Sequence, residues 1–327
     1  MRTGKLTEAS LKRSVLGQLY KDKSVSTERY GADCAVLSQE SGRVSAYTAV
    51  SAVPGFEHRP GALVTAAVNN LAAGGVTPES LVLHAMLPVS YEESSLKADM
   101  KRIAEAAGHY RMQVLCGHTE VSSSVLCPVY QITGIGSAKA EECRAQQVLR
   151  PGDTLVMTKW IALAGTAALA YRYEEELGKR FPFTLIDRAK EYEKLMSVAP
   201  EAAAATHFGA CAMHDVSQGG IFGALWEMAQ RAGVGLEVDL KKIPVKQETI
   251  EICEYFDINP YNLYSAGALL AGTQQPEALI AKLAALDIPA AVIGRATAGN
   301  DRIIRNGEDV RFLDRPQQEE WYRRFGE

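Results

Sequence analysis

A turn signature near the middle of this sequence is the feature that most constrains its fold. The residues RPGD at 150–153 favour a turn, and a strand-like run over residues 154–159 follows at once. A chain of 327 residues is too long for one ordinary hydrophobic core and suits two domains of roughly 150 residues each. The sequence therefore predicts one domain over residues 1–149 and a second over residues 150–327.

Strand-like and helix-like runs alternate in both halves, which predicts an α/β (α+β) fold. The small-residue run over residues 61–73 is predicted to be a helix that ends at two glycines. A second helix is predicted to begin at a capping box, with Ser90 as the N-cap and Glu93 three residues later. Asn306-Gly307, which lies between two short β-like runs, predicts a hairpin.

Composition and charge exclude several classes of protein. The net charge is −4 and the isoelectric point is about 6.0, so the basic surface of a nucleic-acid-binding protein is not expected. The first residues lack the apolar core of a signal peptide, and no transmembrane run of about 18 apolar residues occurs, so we expect a cytoplasmic protein without a membrane partner. The six cysteines contain no CxxC pair, and we expect free thiols that are mostly buried.

Two stretches of the N-terminal half combine small and polar residues at the ends of predicted elements. Asp33 follows Gly31-Ala32 just before a strand, where an aspartate can bind Mg²⁺ or cap a turn, and its residue type favours the turn. Asn69 and Asn70 lie inside the small-residue helix, although asparagine is a mediocre helix former. The small face beside Asn70 would admit either a ligand or another backbone, and the two interpretations remain open.

A third stretch, at residues 116–120, reads Cys-Gly-His-Thr-Glu and ends another predicted strand. Gly117, Thr119 and Glu120 form a plausible edge for a ligand. Cys116 and His118 are two residues apart and could begin a metal site, but two ligands alone are weak evidence for one.

The fourth stretch leads into a predicted helix and is the best candidate for an anion site. Gly219-Gly220 at the helix start would offer free backbone N–H groups and the positive end of the helix dipole, which suits phosphate. His214 would add positive charge, and Asp215 would hold it or bind a cation. The alternative is an N-cap loop with a hydrogen-bonded histidine. No nucleophile elbow, Walker A motif or dinucleotide fingerprint occurs in the sequence.

Taken together, these stretches resemble the aminoimidazole-ribonucleotide (AIR) synthase-like superfamily over nearly the whole chain. The best matches are MHDVSQGGIFGALWEMAQRAGVGLEVDLKKIPV, EYFDINPYNLYSAGALLAG, GHTEV, RPGDTLVMTKW and the opening TGKL, which look most like the HypE-type hydrogenase-maturation branch. The resemblance implies a two-domain fold, with a mixed sheet and helices in the N-terminal domain and an α/β sandwich in the C-terminal domain. It also implies ATP or a related phosphate ligand between the domains, and a homodimer formed by the N-terminal sheets.

HypE-type enzymes use ATP to dehydrate a carbamoylated cysteine at their own C-terminus to a thiocyanate, which supplies cyanide for nickel–iron hydrogenases. The present sequence ends WYRRFGE, and its last cysteine is Cys253. The cyanide-forming role is therefore not expected.

Several acidic positions of the superfamily are neutral in this sequence. The superfamily usually has a second acidic residue beside Asp33, and this chain has Ala32 there. The Asp that usually ends the next strand is Val50, and the Asp of the usual Asn-Asp pair is Asn70. His118 stands where much of the superfamily has Asp, and Gln218 where Glu or Arg is frequent. Because Mg²⁺ prefers carboxylate oxygens, these changes predict that metal-assisted ATP chemistry is weakened or lost.

Three hypotheses follow. The first is a HypE-like protein that binds a nucleotide or other phosphate ligand in the interdomain cleft without efficient ATP chemistry. The second is an active ATP-dependent enzyme on an unknown small substrate, with a rearranged Mg²⁺ site formed by Asp33, Glu120 and Asp215. The third is a non-catalytic scaffold in metalloenzyme maturation.

The candidate residues fall into three groups. Asp33 is the one candidate metal ligand. The catalytic candidates are Asp33, His118, His214 and Asp215. The candidate ligand-binding residues are Asn69, Asn70, Gly117, Thr119, Glu120, Ser217, Gln218, Gly219 and Gly220.

Overall fold

A computed structural model describes residues 2–19, 31–39 and 42–326 of the chain. The first half contains three helices and five strands among these residues. They are α1 (Glu8–Leu11, continued by a π-helical turn over Lys12–Leu16), β1 (Ala35–Ser38), β2 (Arg43–Val50), α2 (Gly61–Ala73), β3 (Thr77–Leu87), α3 (Glu93–His109), β4 (Gln113–Val121) and β5 (Val129–Lys139).

The five strands form one mixed sheet in the order β1-β2-β5-β3-β4. Strands β3 and β4 are parallel because the crossover helix α3 connects them, whereas the other neighbours are antiparallel. Helix α2 covers this sheet with a row of buried apolar side chains that includes Val64, Val68 and Leu71. The predicted helix over residues 61–73 is confirmed.

The predicted capping box of α3 is wrong. The helix begins at Glu93, Glu92 occupies the N-cap position, and no described side chain caps the first turn. The Tyr91 N–H donates to the carbonyl of Pro88, and the Tyr91 hydroxyl donates to the buried Asp99 carboxylate at 2.5 Å. These bonds hold the segment before the helix in a turn, so the helix cannot begin at Ser90.

The second half contains a seven-stranded sheet in the order β12-β11-β8-β10-β6-β9-β7. Its strands are β6 (Thr154–Thr158), β7 (Ala210–Val216), β8 (Gly235–Asp239), β9 (Ala268–Thr273), β10 (Ala290–Thr297), β11 (Arg302–Asn306) and β12 (Asp309–Phe312). Its helices are α4 (Leu163–Arg172), α5 (Glu174–Leu177), α6 (Phe183–Lys190), α7 (Ala199–His207), α8 (Gly220–Ala232), α9 (Gln247–Tyr255), α10 (Pro276–Ala284) and α11 (Glu320–Phe325).

Helices cover both faces of this second sheet, as the strand β6 illustrates. Leu155 and Met157 pack in the same cluster as the α8 residues Ile221 and Leu225, whereas Val156 packs with α7 and α10. This alternation is the period-two pattern of a strand that is buried on both faces. The predicted α/β sandwich is thereby confirmed, and so is the hairpin, because Asn306 pairs with Asp309 across its turn.

The cysteines and the helix lengths can be compared with what the composition predicts. All six cysteines are free, but only Cys34, Cys143 and Cys253 are buried; Cys211 is half-buried, and Cys116 and Cys127 are exposed. The prediction that most are buried therefore holds for half of them. Among the described residues, no helix has the length and apolar character needed to cross a membrane.

Candidate functional site

A cleft of about 870 Å³ lies between the two sheets and takes its lining from both halves of the chain. The N-terminal half contributes Ala32, Asp33, Thr48, Val50 and Asn70, and the C-terminal half contributes His214, Asp215, Ser217, Gln218, Glu227 and Tyr264. The size falls within the range of small-molecule sites, roughly 300–1,000 Å³. The cleft therefore brings the first, second and fourth sequence stretches together.

Asp33 reaches the C-terminal half because the chain before β1 runs close to α8. Gly31 has φ +72°, and a Cβ there would lie 3.0 Å from the backbone oxygen of Glu227, so the approach favours glycine. One carboxylate oxygen of Asp33, Oδ2, accepts the backbone N–H of Asp215 at 3.2 Å. The residue predicted to cap a turn thus links the two halves of the chain.

His214 lies at the centre of a buried charged cluster. Its Nδ1 is 3.1 Å from Asp33 Oδ1, and its Nε2 is 3.1 Å from Glu227 Oε2. Lys5 pairs with the other oxygen of Glu227 at 2.5 Å. Burial alone would lower the pKa of His214, but the charges of Asp33 and Glu227 outweigh it and raise that pKa to about 9.

The carboxylates of this cluster differ in their environment. Burial disfavours the charged form of Glu227, yet its bonds to His214 and Lys5 lower its pKa to about 2. Burial raises the pKa of Asp33. Burial and the nearby charge of Asp33 raise the pKa of Asp215 to about 7. Asp33 and Asp215 thus share a largely buried site that one histidine only partly neutralises.

The side chain of Asp215 is the least satisfied group of the cluster. It is 2% exposed, and no described hydrogen-bond partner reaches its Oδ1. A buried acceptor without a partner costs about 1–3 kcal/mol. Ligand atoms of Asp33, His214 and Asp215 all lie within 4.8 Å of one another, so a cation could meet three donors here.

The start of α8 differs from the prediction of free N–H groups. The Gly220 N–H donates to the Ser217 carbonyl at 3.1 Å, and the Phe222 N–H donates to the Tyr261 carbonyl at 3.2 Å. A Cβ on Gly220, which has φ +64°, would lie 2.4 Å from that same Tyr261 oxygen. The carbonyls of Ser217 and Tyr261 therefore each occupy one N–H group that a phosphate could have used. Ser217 and Gln218, rather than the two glycines, line the cleft.

The two asparagines of α2 have different surroundings. The buried Asn69 donates from Nδ2 to the Met196 carbonyl at 2.7 Å and accepts the Val198 N–H at 2.9 Å. Both ends of its amide are therefore committed to the backbone of the C-terminal half. Asn70 instead lines the cleft and donates to the Thr48 hydroxyl at 2.8 Å.

The third stretch lies elsewhere. Gly117, His118, Thr119 and Glu120 belong to β4, the sheet edge opposite β1, and none of them is among the described residues that line the cleft. His118 contacts Glu120 at 3.3 Å, and both are exposed. A Cβ on Gly117 would lie 2.2 Å from the Leu83 oxygen, which accounts for glycine there by packing against β3.

Sequence reasoning missed two members of the cluster, Lys5 and Glu227. Helical spacing could have identified Glu227 as a site residue, because it lies two turns beyond Gly220 and one turn beyond Gly223 on the same face of the predicted helix. The resemblance of the TGKL segment marked Lys5, but its local sequence gave no role for it.

Sequence models of the AIR synthase related protein family match both halves of the chain. The N-terminal domain model matches residues 31–138, and the C-terminal domain model matches residues 150–305. Carbamoyl dehydratase HypE of Rhodobacter capsulatus is 29% identical over 251 residues, which cover 74% of this chain and 71% of that protein. A thiamine-monophosphate kinase of Pyrococcus abyssi is 24% identical over 259 residues, with 77% and 75% covered.

Solved structures share the fold. A crystal structure of a HypE–HypF complex matches with a TM-score of 0.74 and 21% identity, covering 94% of this chain and 100% of the matched one. HypE in complex with ATP matches with a TM-score of 0.70 and 18% identity, covering 97% and 94%. AaThiL complexed with AMPPCP and TMP also reaches 0.70, with 19% identity and 96% and 98% covered. The chain therefore belongs to the AIR synthase related protein family.

Proposed function

We propose that this protein binds a nucleotide or a related phosphate compound in the interdomain cleft, and that Mg²⁺-dependent ATP chemistry there is weak or absent. One observation carries the proposal. The three positions where the sequence loses carboxylates, Ala32, Val50 and Asn70, all line the same cleft as Asp33. The losses are therefore concentrated where a metal–nucleotide complex would have to bind.

Two related structures support a nucleotide as the ligand. A HypE was solved in complex with ATP, and AaThiL in complex with AMPPCP and TMP. Both match this chain over nearly its full length. A cleft of about 870 Å³ lined by both halves of the chain leaves room for a ligand of that size.

The weakness of the chemistry follows from charge. Phosphoryl transfer depends on metal ions that neutralise the developing charge, and carboxylates hold those ions. Asp33 already faces His214 with one oxygen and the Asp215 N–H with the other. To bind a Mg²⁺ ion on a triphosphate through Oδ1, it would have to give up its contact with His214.

The test restores the missing charge. The wild type and the double variant Ala32→Asp/Asn70→Asp are titrated with ATP by calorimetry, with and without Mg²⁺, and phosphate release is assayed in the same samples. We expect the wild type to bind ATP with little Mg²⁺ dependence and negligible turnover, and the double variant to gain Mg²⁺ dependence. Asn300→Asp/Asn306→Asp, which adds the same two negative charges at exposed positions flanking β11, is the matched control and should behave as the wild type.

Two outcomes would contradict the proposal. Wild-type turnover that requires Mg²⁺ would favour the active-enzyme hypothesis, in which Asp33 and Asp215 form a rearranged site; Asp33→Ala should then abolish turnover. Absence of ATP binding in all three proteins would exclude the nucleotide. The proximity of Asp33 to Asp215 is the observation that keeps the enzyme hypothesis in consideration.

The exposed strand β4 supports a homodimer. All nine of its residues are exposed, and it forms an open edge of the N-terminal sheet. Val114, Leu115 and Val121 present apolar side chains there, and Leu126 in the following loop is 98% exposed. An open, apolar sheet edge is rarely left uncovered. We propose that a second copy pairs with it; the HypE–HypF complex makes a different protein the competing partner.

A further inference from the structure

We infer that Asp33, His214 and Asp215 form a site for one borderline divalent transition-metal ion, such as Zn²⁺ or Co²⁺, that binds without a nucleotide. The resemblance of the sequence implies Mg²⁺ held by carboxylates, and the donors present do not fit that ion well. The inference is independent of the proposed function, because it needs no phosphate ligand.

The donor set departs from an oxygen-only site. His214 contributes a ring nitrogen, while Asp33 and Asp215 contribute carboxylate oxygens, and all three ligand atoms lie within 4.8 Å of one another. Mg²⁺ demands oxygen ligands in near-ideal octahedral geometry, whereas imidazole nitrogen suits zinc and its transition-metal neighbours. The neutral side chains of Ala32, Val50 and Asn70 remove the further carboxylates that would favour the harder ion.

Distances within the cluster are close to those of a formed site. Zinc binds nitrogen and carboxylate oxygen at about 2.0–2.2 Å, so neighbouring ligands of a tetrahedral ion lie about 3.4 Å apart. Asp33 Oδ1 and His214 Nδ1 are already 3.1 Å apart. The Asp215 carboxylate has to move closer, and the Asp215 carbonyl, which lies 2.7 Å from His214 Nδ1, has to shift aside or join the ligands.

Hydrogen-bond partners restrict the orientation of two of the three donors, His214 and Asp33. Glu227 accepts from Nε2 of His214, and Lys5 in turn holds Glu227. A carboxylate behind the distal nitrogen of a ligating histidine is a frequent feature of metal sites, because it fixes the tautomer and makes the other nitrogen a better ligand. The Asp215 N–H anchors Asp33 Oδ2, which leaves Asp33 Oδ1 toward the histidine.

The Asp215 carboxylate has an oxygen atom that a bound cation would satisfy. Its Oδ1 is buried and lacks a described partner, although native proteins rarely leave such an acceptor unmet. Without a metal, a proton occupies His214 Nδ1, because the Asp215 carbonyl at 2.7 Å and Asp33 both face it. A bound ion displaces that proton to solvent and satisfies Asp215 at the same time.

The experiment titrates the full-length protein with Zn²⁺, Co²⁺ and Mg²⁺ in the absence of nucleotide. We expect one tight site for Zn²⁺, a Co²⁺ visible spectrum with nitrogen coordination, and Mg²⁺ binding at least about 100-fold weaker. His214→Gln should abolish the tight site, and Glu227→Gln should weaken it by about 10- to 100-fold, because a neutral amide replaces the carboxylate behind Nε2.

The matched control is the other histidine that the sequence singled out. His118→Gln combined with Cys116→Ser removes the exposed pair on β4 and should leave the tight site unchanged. Loss of Zn²⁺ binding in that control, with retention in His214→Gln, would overturn the inference. So would equal affinity for Mg²⁺ and Zn²⁺.

A measurement on the wild type tests the site even if the His214→Gln variant does not fold. With ¹⁵N-labelled histidine, Zn²⁺ should shift the Nδ1 resonance of the buried histidine and leave its Nε2 protonated. A spectrum in which Zn²⁺ moves only exposed histidines would exclude the site without any substitution.

Discussion

The side chain of Asn69 gives the sharpest test of how the two halves of the chain are held together. It is fully buried in α2, and its amide bonds the carbonyl of Met196 and the N–H of Val198, two buried residues of the other half. Asn69→Ala would leave both backbone groups without a partner. Each buried group without a partner costs about 1–3 kcal/mol, so the free energy of unfolding should fall by about 2–6 kcal/mol.

The neighbouring residue provides a matched control. Asn70→Ala also removes an amide from α2, but this amide lines the cleft, where water can replace it. Thr48 keeps its bond to the Asp33 carbonyl at 3.0 Å. The loss should therefore be about 0.5–1.5 kcal/mol.

Urea unfolding of the two variants, followed by far-ultraviolet circular dichroism, measures both values, and calorimetry with ATP runs in parallel. A loss of less than about 1 kcal/mol for Asn69→Ala, accompanied by weaker ATP binding, would refute the structural role. It would restore the interpretation of Asn69 as a ligand-binding residue.

Three further substitutions test other parts of the structure. Gly220→Ala places a Cβ 2.4 Å from a backbone oxygen and should lower the melting temperature well beyond Gly233→Ala, where the same φ of +64° meets open space and about 1 kcal/mol is expected. Leu115→Arg on β4 should convert a dimer to a monomer in light scattering without changing the circular dichroism spectrum; an unchanged mass would contradict pairing through β4. Lys159→Met leaves Glu201 as a buried unpaired carboxylate and should cost about 3–5 kcal/mol in urea unfolding, whereas the double change with Glu201→Leu should recover much of it; failure to recover would mean that the pair is not the cause.

The sequence predicted well those elements whose cause is local. The helix over residues 61–73 is a run of small apolar residues ended by glycines, and both signals act within a few residues. The turn after Asn306 is also a local matter, because glycine supplies the positive φ that the hairpin needs. The capping box failed because the bonds of Tyr91 to Pro88 and Asp99 hold the segment before α3 in a turn, which the residue types at positions 90 and 93 do not reveal.

The candidate site was harder to predict because its members are far apart in the chain. Asp33 and His214 meet only because β1 and β7, in different sheets, face the same cleft. No periodicity within either segment encodes that meeting. The sequence stretches included both residues among the candidates, but they also included residues 117–120, which the fold of a single chain keeps at the opposite sheet edge.

The nucleotide and metal proposals are separate, yet the geometry predicts how they interact. With every group ionised, the carboxylates of Asp33, Asp215 and Glu227 face only two cations, His214 and Lys5, so the cluster carries one net negative charge. A divalent ion that displaces the His214 proton brings the cluster to neutrality. Phosphate binding in the same cleft should then be stronger, and linkage requires ATP to strengthen metal binding by the same factor.

Two titrations measure that factor. One gives the affinity for ATP with and without Zn²⁺, and the other gives the affinity for Zn²⁺ with and without ATP. The two factors must agree if the ligands share one cleft, after correction for Zn²⁺ that ATP binds in solution. A factor of one would place the phosphate ligand away from the cluster. A factor below one would mean that bound ATP weakens Zn²⁺ binding. That result is expected if a metal ion on the triphosphate draws the Asp33 carboxylate away from His214.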